Sequence, residues 1–243
     1  MPSAIARLLE GIPVPRLVKV QQAFERPAIA DVAVVLRERL LDSRGLGSVR
    51  PGMSIGVGVG SRGISNQPVM VRILIDHLKA QGAHPFIFPA MGSHGGATAE
   101  GQQDLLARMG ISEQTMGAPV RATMDVVDMG TAENGLTAWF DVYAAAADGI
   151  VLVNRIKPHV SFRGRYESGL MKMIAIGLGK QKGAEACHQL GMERMLGNIE
   201  AIGRTALSTG KILFGIALLE NAYHETCRIE AIPADRIEEA PVV

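Results

Sequence analysis

Apolar positions along the chain fall into two periods, one near 3.6 residues and one made of short unbroken runs. "PAIADVAVVLRERLLD" (27–42) has helical spacing behind an N-terminal proline and predicts a helix. "MSIGVGVG" (53–60) predicts a buried strand, and "QPVMVRILIDHLKAQG" (67–82) a helix with Pro68 in its first turn and Gly82 at its end. "HPFIFPAMG" (84–92) predicts a second buried strand that runs into "SHGGAT". "TAEGQQDLLARMGI" reads as a helix capped by Thr98, with Leu105, Leu106 and Met109 turned inward. Strand-like segments follow at 123–129 and 137–143, and "GIVLVNRIKPH" (149–159) is a strand opening into a basic loop. "GLMKMIAIGLGKQKGAEACHQLG" is glycine-punctuated and partly helical, and "ERMLGNIEAIGRTAL" is a helix. "KILFGIALLENAYHETCRIEAIP" gives two strands joined near Asn221. Strands alternating with helices predict an α/β layered fold with a largely parallel β-sheet flanked by helices. The ending "DRIEEAPVV" reads as the entry to a helix that is cut off.

Composition narrows the function classes. With 243 residues, 47% of them hydrophobic and 20% charged, the chain can bury a substantial core. A formal net charge of +1 gives no reason to expect nucleic acid or an acidic membrane surface as partner, and 4% aromatics disfavour base-stacking platforms. Cys187 and Cys227 form no metal or disulfide pattern. No apolar run reaches the ~18 residues needed to span a bilayer. The opening "MPSAIARLLEGIPVPR" is too broken by charge and proline for a signal peptide. A soluble, reducing, cytoplasmic setting is expected.

Within the first predicted strand and its loop, "GVGSRG" (58–63) has the G-x-G-x-x-G spacing of a dinucleotide loop. Such a site also needs an acid about 20 residues on, at the end of the second strand, for the ribose hydroxyls. The second strand ends in "FIFPAMG", and Asp76 lies inside the preceding helix. The loop fits an anion seat better: backbone N–H groups, the Ser61 hydroxyl and the Arg62 guanidinium would face a phosphate or carboxylate. A tight turn with a solvated Arg62 is the bland alternative.

Three of the six histidines and one lysine stand in unusual company. His94, in "GSHGG", follows a buried strand on the edge where open α/β sheets bind ligands. It is either a general acid/base or a turn histidine capping the next helix. His159 ends "VNRIKPH" among Arg155, Lys157, Arg163 and Arg165, whose charges favour the neutral imidazole of a base; the alternative is an anion-binding loop in which it is incidental. Lys172 interrupts the apolar "SGLMKMIAIGLG" and either snorkels outward or is paired or covalently used. His188, 16 residues later, has the chemistry of a metal ligand, and Cys187 beside it that of a small hydrophobe. His77, His84 and His224 read as structural or solvated.

Taken in order, "GSRGIS", "GSHGG", "PH" and "SGLMK…IG", with a histidine 16 residues past the lysine, resemble the N-terminal part of the nickel-dependent lactate racemase family. The resemblance implies a cofactor-binding domain over 1–243, with the family's C-terminal domain absent or truncated. It implies a nickel-pincer pyridinium mononucleotide as cofactor, tethered to Lys172, with nickel on His188. Its catalytic histidines fall on His94 and His159, and its cofactor loop on Ser61, Arg62, Gly63 and Ile64. The implied reaction is racemisation or epimerisation of a small 2-hydroxy acid by reversible hydride transfer, with cofactor-synthesis enzymes as partners. Two places depart from the pattern. The family's acid-Arg-x-Arg-Pro loop is reduced to Ser61–Ile64, and the stretch between His159 and Lys172 is about three residues longer, with "RGRYESG" replacing a Gly-Phe-Ser-Gly-Gly type run. A nicotinamide-dependent oxidoreductase and a non-catalytic ligand-binding relative are the rival readings.

Overall fold

The computed structural model describes residues 3–13, 15–189 and 191–239. In chain order the elements are α1 (Ala4–Leu8), α2 (Val32–Leu41), β1 (Ser54–Val59), α3 (Gln67–Ala80), β2 (His84–Pro89), α4 (Ala99–Arg108), α5 (Glu113–Met116), β3 (Val126–Thr131), β4 (Thr137–Asp141) and α6 (Val142–Ala146). Then come β5 (Gly149–Arg155), α7 (Gly169–Lys172), a π-helical turn at Met173–Gly177, α8 (Lys180–His188), α9 (Met195–Ser208), β6 (Ile212–Glu220) and β7 (Thr226–Pro233).

Five strands form one sheet in the order β2-β1-β5-β6-β7. The first four run parallel and β7 closes the sheet as an antiparallel edge. The expected α/β layering is therefore present. Strands at 123–129 and 137–143 exist nearly as expected, at β3 and β4, but they pair only with each other as an antiparallel ribbon.

Side-chain alternation divides the core between the sheet's two faces. Val57, Val59, Ile87, Val151, Val153, Phe214, Ile216 and Leu218 meet Leu36 and Leu40 of α2 and Met70, Leu74 and Leu78 of α3. Phe86, Phe88, Ile150 and Leu152 meet Phe140 of the ribbon and Leu170, Ile174, Ile199 and Ile202 of the long helical segment. On this second face β1 carries glycine. A Cβ on Gly58 would lie 2.7 Å from Leu152 Cδ2 and 2.9 Å from Phe88 Cζ. The first glycine of "GVGSRG" thus belongs to the strand and makes room for a phenylalanine, with no part in the loop.

Two element boundaries differ from expectation. The helix expected over 27–42 begins at Val32, because the Asp31 carboxylate accepts from the Ala33 and Val34 amides and fixes the N-terminus there. Residues 27–29 instead run beside β7, with Ile29 N–H donating to the Thr226 carbonyl (2.8 Å). The expected helix at "DRIEEAPVV" is a short 3₁₀ turn at Ala234–Arg236; residues 240–243 lie outside the described residues.

Candidate functional site

The strand order reverses at β1: β2 lies on one side of it, and the chain returns as β5 on the other. In open α/β sheets this switch point, at the carboxyl ends of the strands, opens a crevice between loops. The three loops leaving β2, β1 and β5 carry His94, Ser61–Ile64 and His159 respectively. Sequence reasoning named all three loops, and the fold sets them side by side.

The β1 loop is directly joined to the β2 loop. Ser61 Oγ and His94 Nδ1 share a short hydrogen bond, so the hydroxyl expected to face an anion engages the imidazole instead. Burial, and then the charge of Arg62, hold the His94 imidazole below its ordinary range, which keeps it neutral near pH 7. His94 caps no helix with its side chain; Thr98 caps α4, accepting from the Gly101 amide (3.0 Å). Arg62 is exposed and pairs with no carboxylate among the described residues. Gly63 is exposed and a Cβ there would touch nothing within 4 Å. Ile64 is buried in the core, so it can offer a ligand no side-chain contact. Just beyond, the Ser65 amide donates to Glu220 Oε1 (2.7 Å), and Glu220 also pairs with Arg155. A resident carboxylate therefore already uses one donor of this loop.

The β5 loop is organised by Glu167 and Ser168 of the longer stretch. The Glu167 carboxylate accepts the His159 amide (2.7 Å) and the Gly164 amide (3.0 Å), and these bonds hold its carboxyl below the usual range. Ser168 Oγ exchanges hydrogen bonds with both backbone groups of Lys157 (2.6 Å each). Phe162 stacks on the His159 ring (centroids 4.3 Å apart), and the Lys172 ammonium lies 4.8 Å from the centroid of the Phe162 ring. Lys172 neither snorkels freely nor joins a salt bridge: it is half-buried, and its Nζ donates to the Glu167 carbonyl (3.3 Å). Burial first, and then Lys157, lower its pKa. Burial followed by Lys172 and Lys157 does the same to His159. Arg62 acts on both His94 and Lys172, and Lys157 on both Lys172 and His159, so the loops share one electrostatic neighbourhood.

Lys172 closes α7, and the π turn follows at once, an insertion that helices often carry at functional sites. His188 ends α8, exposed, with Nδ1 bonded to the Ala184 carbonyl (2.5 Å), which leaves Nε2 for a metal. Among the described residues no cluster of three or more His, Cys, Asp or Glu side chains forms a metal site. The buried Cys187 thiol is pushed up to about 12 by burial, as befits a small hydrophobe. Asp76, the acid nearest the dinucleotide pattern, pairs with Arg72 on α3 (3.0 Å).

One group escaped the sequence reading. Lys180, the first residue of α8, is fully buried and pairs with the equally buried Asp141 (2.9 Å). Its ammonium also donates to the Pro89 carbonyl and to Gln102 Oε1 (3.1 Å), while Gln102 Nε2 donates to the Gly92 (2.9 Å) and His94 (3.1 Å) carbonyls. Burial pushes the Asp141 carboxyl up and the Lys180 ammonium down, each opposed by its partner's charge. Only its left-handed backbone (φ 53°) sets this lysine apart locally, and no sequence pattern displays that.

The fold has a known counterpart. No helix among the described residues is long and apolar enough to cross a membrane. The search of curated proteins returned no match. Among solved structures, the lactate racemase apoprotein from Thermoanaerobacterium thermosaccharolyticum shares the fold (TM-score 0.63, 16% identity). The match covers 87% of this chain and 54% of that one, so the chain spans about half of its relative's length. The sequence profile of the lactate racemase N-terminal domain matches residues 52–197, a stretch that runs from β1 through all three loops, Lys172 and His188. With more than half of its length matched, and with the histidine loops and the helical lysine inside the match, the chain belongs to the lactate racemase N-terminal domain family.

Proposed function

We propose that this chain is the cofactor-binding part of a 2-hydroxy-acid racemase or epimerase. In this reading a nickel-pincer pyridinium mononucleotide is tethered through Lys172. The observation that carries the reading is the pair of pKa-depressed histidines, His94 and His159, on the loops flanking the glycine loop at one sheet edge. The residues fit the group. Lys172 offers an amine whose burial favours the neutral, nucleophilic form. His188 offers Nε2 to a nickel ion whose other donors would come from the cofactor.

When bound, the cofactor supplies reversible acceptance of hydride from the substrate carbon. The chain's own groups handle the proton and the charge. A neutral imidazole on each side of the substrate takes the hydroxyl proton as the carbonyl forms and returns it as the alcohol re-forms, which two-sided racemisation requires. Ser61 holds Nδ1 of His94 and Glu167 holds the His159 backbone, so neither base need reorganise during the reaction. Arg62 and Lys157 supply positive charge for a carboxylate or phosphate. The altered Ser61–Ile64 loop favours a substrate other than lactate, and cofactor-synthesis enzymes are the required partners.

The test is intact mass and nickel content of protein produced together with those enzymes. A covalent adduct is expected, lost in Lys172→Ala, with nickel lost in His188→Ala. His94→Gln and His159→Gln should keep both and lose interconversion of the 2-hydroxy-acid enantiomers. An unmodified, nickel-free chain overturns the proposal.

A further inference from the structure

We infer that Gln102, locked by the buried Lys180–Asp141 pair, is the positioning residue that sets where the His94 imidazole stands. The inference rests on the acid/base reading of His94, although its geometry is independent of that reading. The Gln102 side chain spends both amide hydrogens on the loop that follows β2, one on the Gly92 carbonyl and one on that of His94 itself. A carboxamide can flip end for end, and here it is prevented from doing so. Lys180 has donors only, so it admits only the Oε1 end of Gln102.

The lysine is fixed in turn. Asp141 neutralises it, and the Pro89 carbonyl, last residue of β2, takes a further hydrogen. The chain from Asp141 to the His94 carbonyl is thus a continuous polar rod, all three side chains of which are fully buried. The backbone presses against the same place: a Cβ on Gly95 would lie 2.7 Å from the Gln102 amide nitrogen, and one on Gly101 2.0 Å from the Gly95 carbonyl oxygen. Apolar side chains would fill this volume at no desolvation cost. Lys180 moreover holds a left-handed backbone that glycine would adopt without strain. What apolar residues would not do is orient two loop carbonyls. With Nδ1 committed to Ser61, loop position decides where the other nitrogen, Nε2, meets a substrate.

The test is ¹⁵N-histidine NMR on the whole chain, which needs neither cofactor nor activity. The variants are Gln102→Leu, Gln102→Glu and, as a core control away from the loop, Leu36→Ala. Gln102→Glu keeps the size and the contact with Lys180 while turning an acceptor toward both carbonyls, so it reads out even if Gln102→Leu does not fold. In folded Gln102 variants the His94 Nδ1 signal should lose its hydrogen-bonded signature. The His94 titration should move up toward the ordinary 6.5, while His159 stays in place. Leu36→Ala should lower the melting temperature and leave His94 unchanged. His94 signals that stay as in the parent in Gln102→Glu, or that move equally in Leu36→Ala, would make the network purely structural and overturn the inference. Failure of the racemase reading would show only in the adduct and nickel measurements.

Discussion

Arg62 is a charge that two groups of the site share. Burial is the main cause of the lowered pKa of His94 and of Lys172, and the Arg62 guanidinium, which pairs with no carboxylate among the described residues, adds to it in both, behind Lys157 at Lys172. Arg62→Gln should therefore raise both titration midpoints, with no change in fold, as followed by NMR of His94 and by pH-dependent acylation of Lys172. The sign for stability follows from the direction. A histidine with a depressed folded pKa contributes stability that is full above its ordinary 6.5 and is lost as pH falls through the lowered value. Arg62→Gln should make that acidic loss smaller, because it brings the folded value closer to the unfolded one. His94, His159 and Lys172 were legible in the sequence because each residue type is out of place among its neighbours. Gln102, Lys180 and Glu167 were not: a glutamine in a helix, a lysine in "GKQKG" and a glutamate in "RYESG" look solvated. Each has a partner 8 or more positions away, and that of Lys180 lies 91 away, so their burial is decided by tertiary packing.

Among the elements, the π turn packs closely against the loop that follows β2. A Cβ on Gly177 would lie 2.7 Å from the Ala90 carbonyl oxygen, and one on Gly92 3.1 Å from Ile176 Cγ2. Gly177→Ala should cost about 1–3 kcal/mol in urea unfolding, the usual penalty of overpacking, and should loosen the loop between Ala90 and His94. Faster amide exchange at His94, whose N–H donates to the Met91 carbonyl (3.2 Å), would register the second effect. Elements with strong local signals, such as α3 with its early proline and terminal glycine, appear where the pattern puts them. The helix at 27–42 starts five residues late because a capping carboxylate outweighs a proline as a start signal. "GVGSRG" imitated a fingerprint for a steric reason: Phe88 needs the space at Gly58, and no local rule distinguishes that glycine from one that binds phosphate.

At the scale of the whole molecule, alternation of strands and helices made the layered class legible, whereas strand order and the detached ribbon were not. Those depend on which strands meet, and apolar runs of similar composition do not encode partners. The ribbon raises the question of how firmly it belongs to the body, since it shares no strand pairing with the main sheet. Beyond apolar packing, its buried charged anchor is Asp141 at the end of β4, whose carboxylate caps α6 and pairs with Lys180, while Asn134 and Trp139 make further contacts with Asn198 and Lys182. Trp139, the single tryptophan, stands two residues before Asp141 and reports on the ribbon directly. In the parent protein, tryptophan fluorescence and far-ultraviolet circular dichroism should follow one coincident denaturant transition. Lys180→Met leaves a buried carboxylate without its counter-charge and should cost about 3–5 kcal/mol. Because that cost falls on the contact between ribbon and body, the fluorescence transition should then precede the dichroism transition. Adding Asp141→Asn removes the stranded charge while keeping an acceptor for the α6 amides, and should bring the two transitions back together. Coincident transitions in Lys180→Met, merely moved to lower denaturant, would mean that packing alone makes ribbon and sheet one cooperative unit.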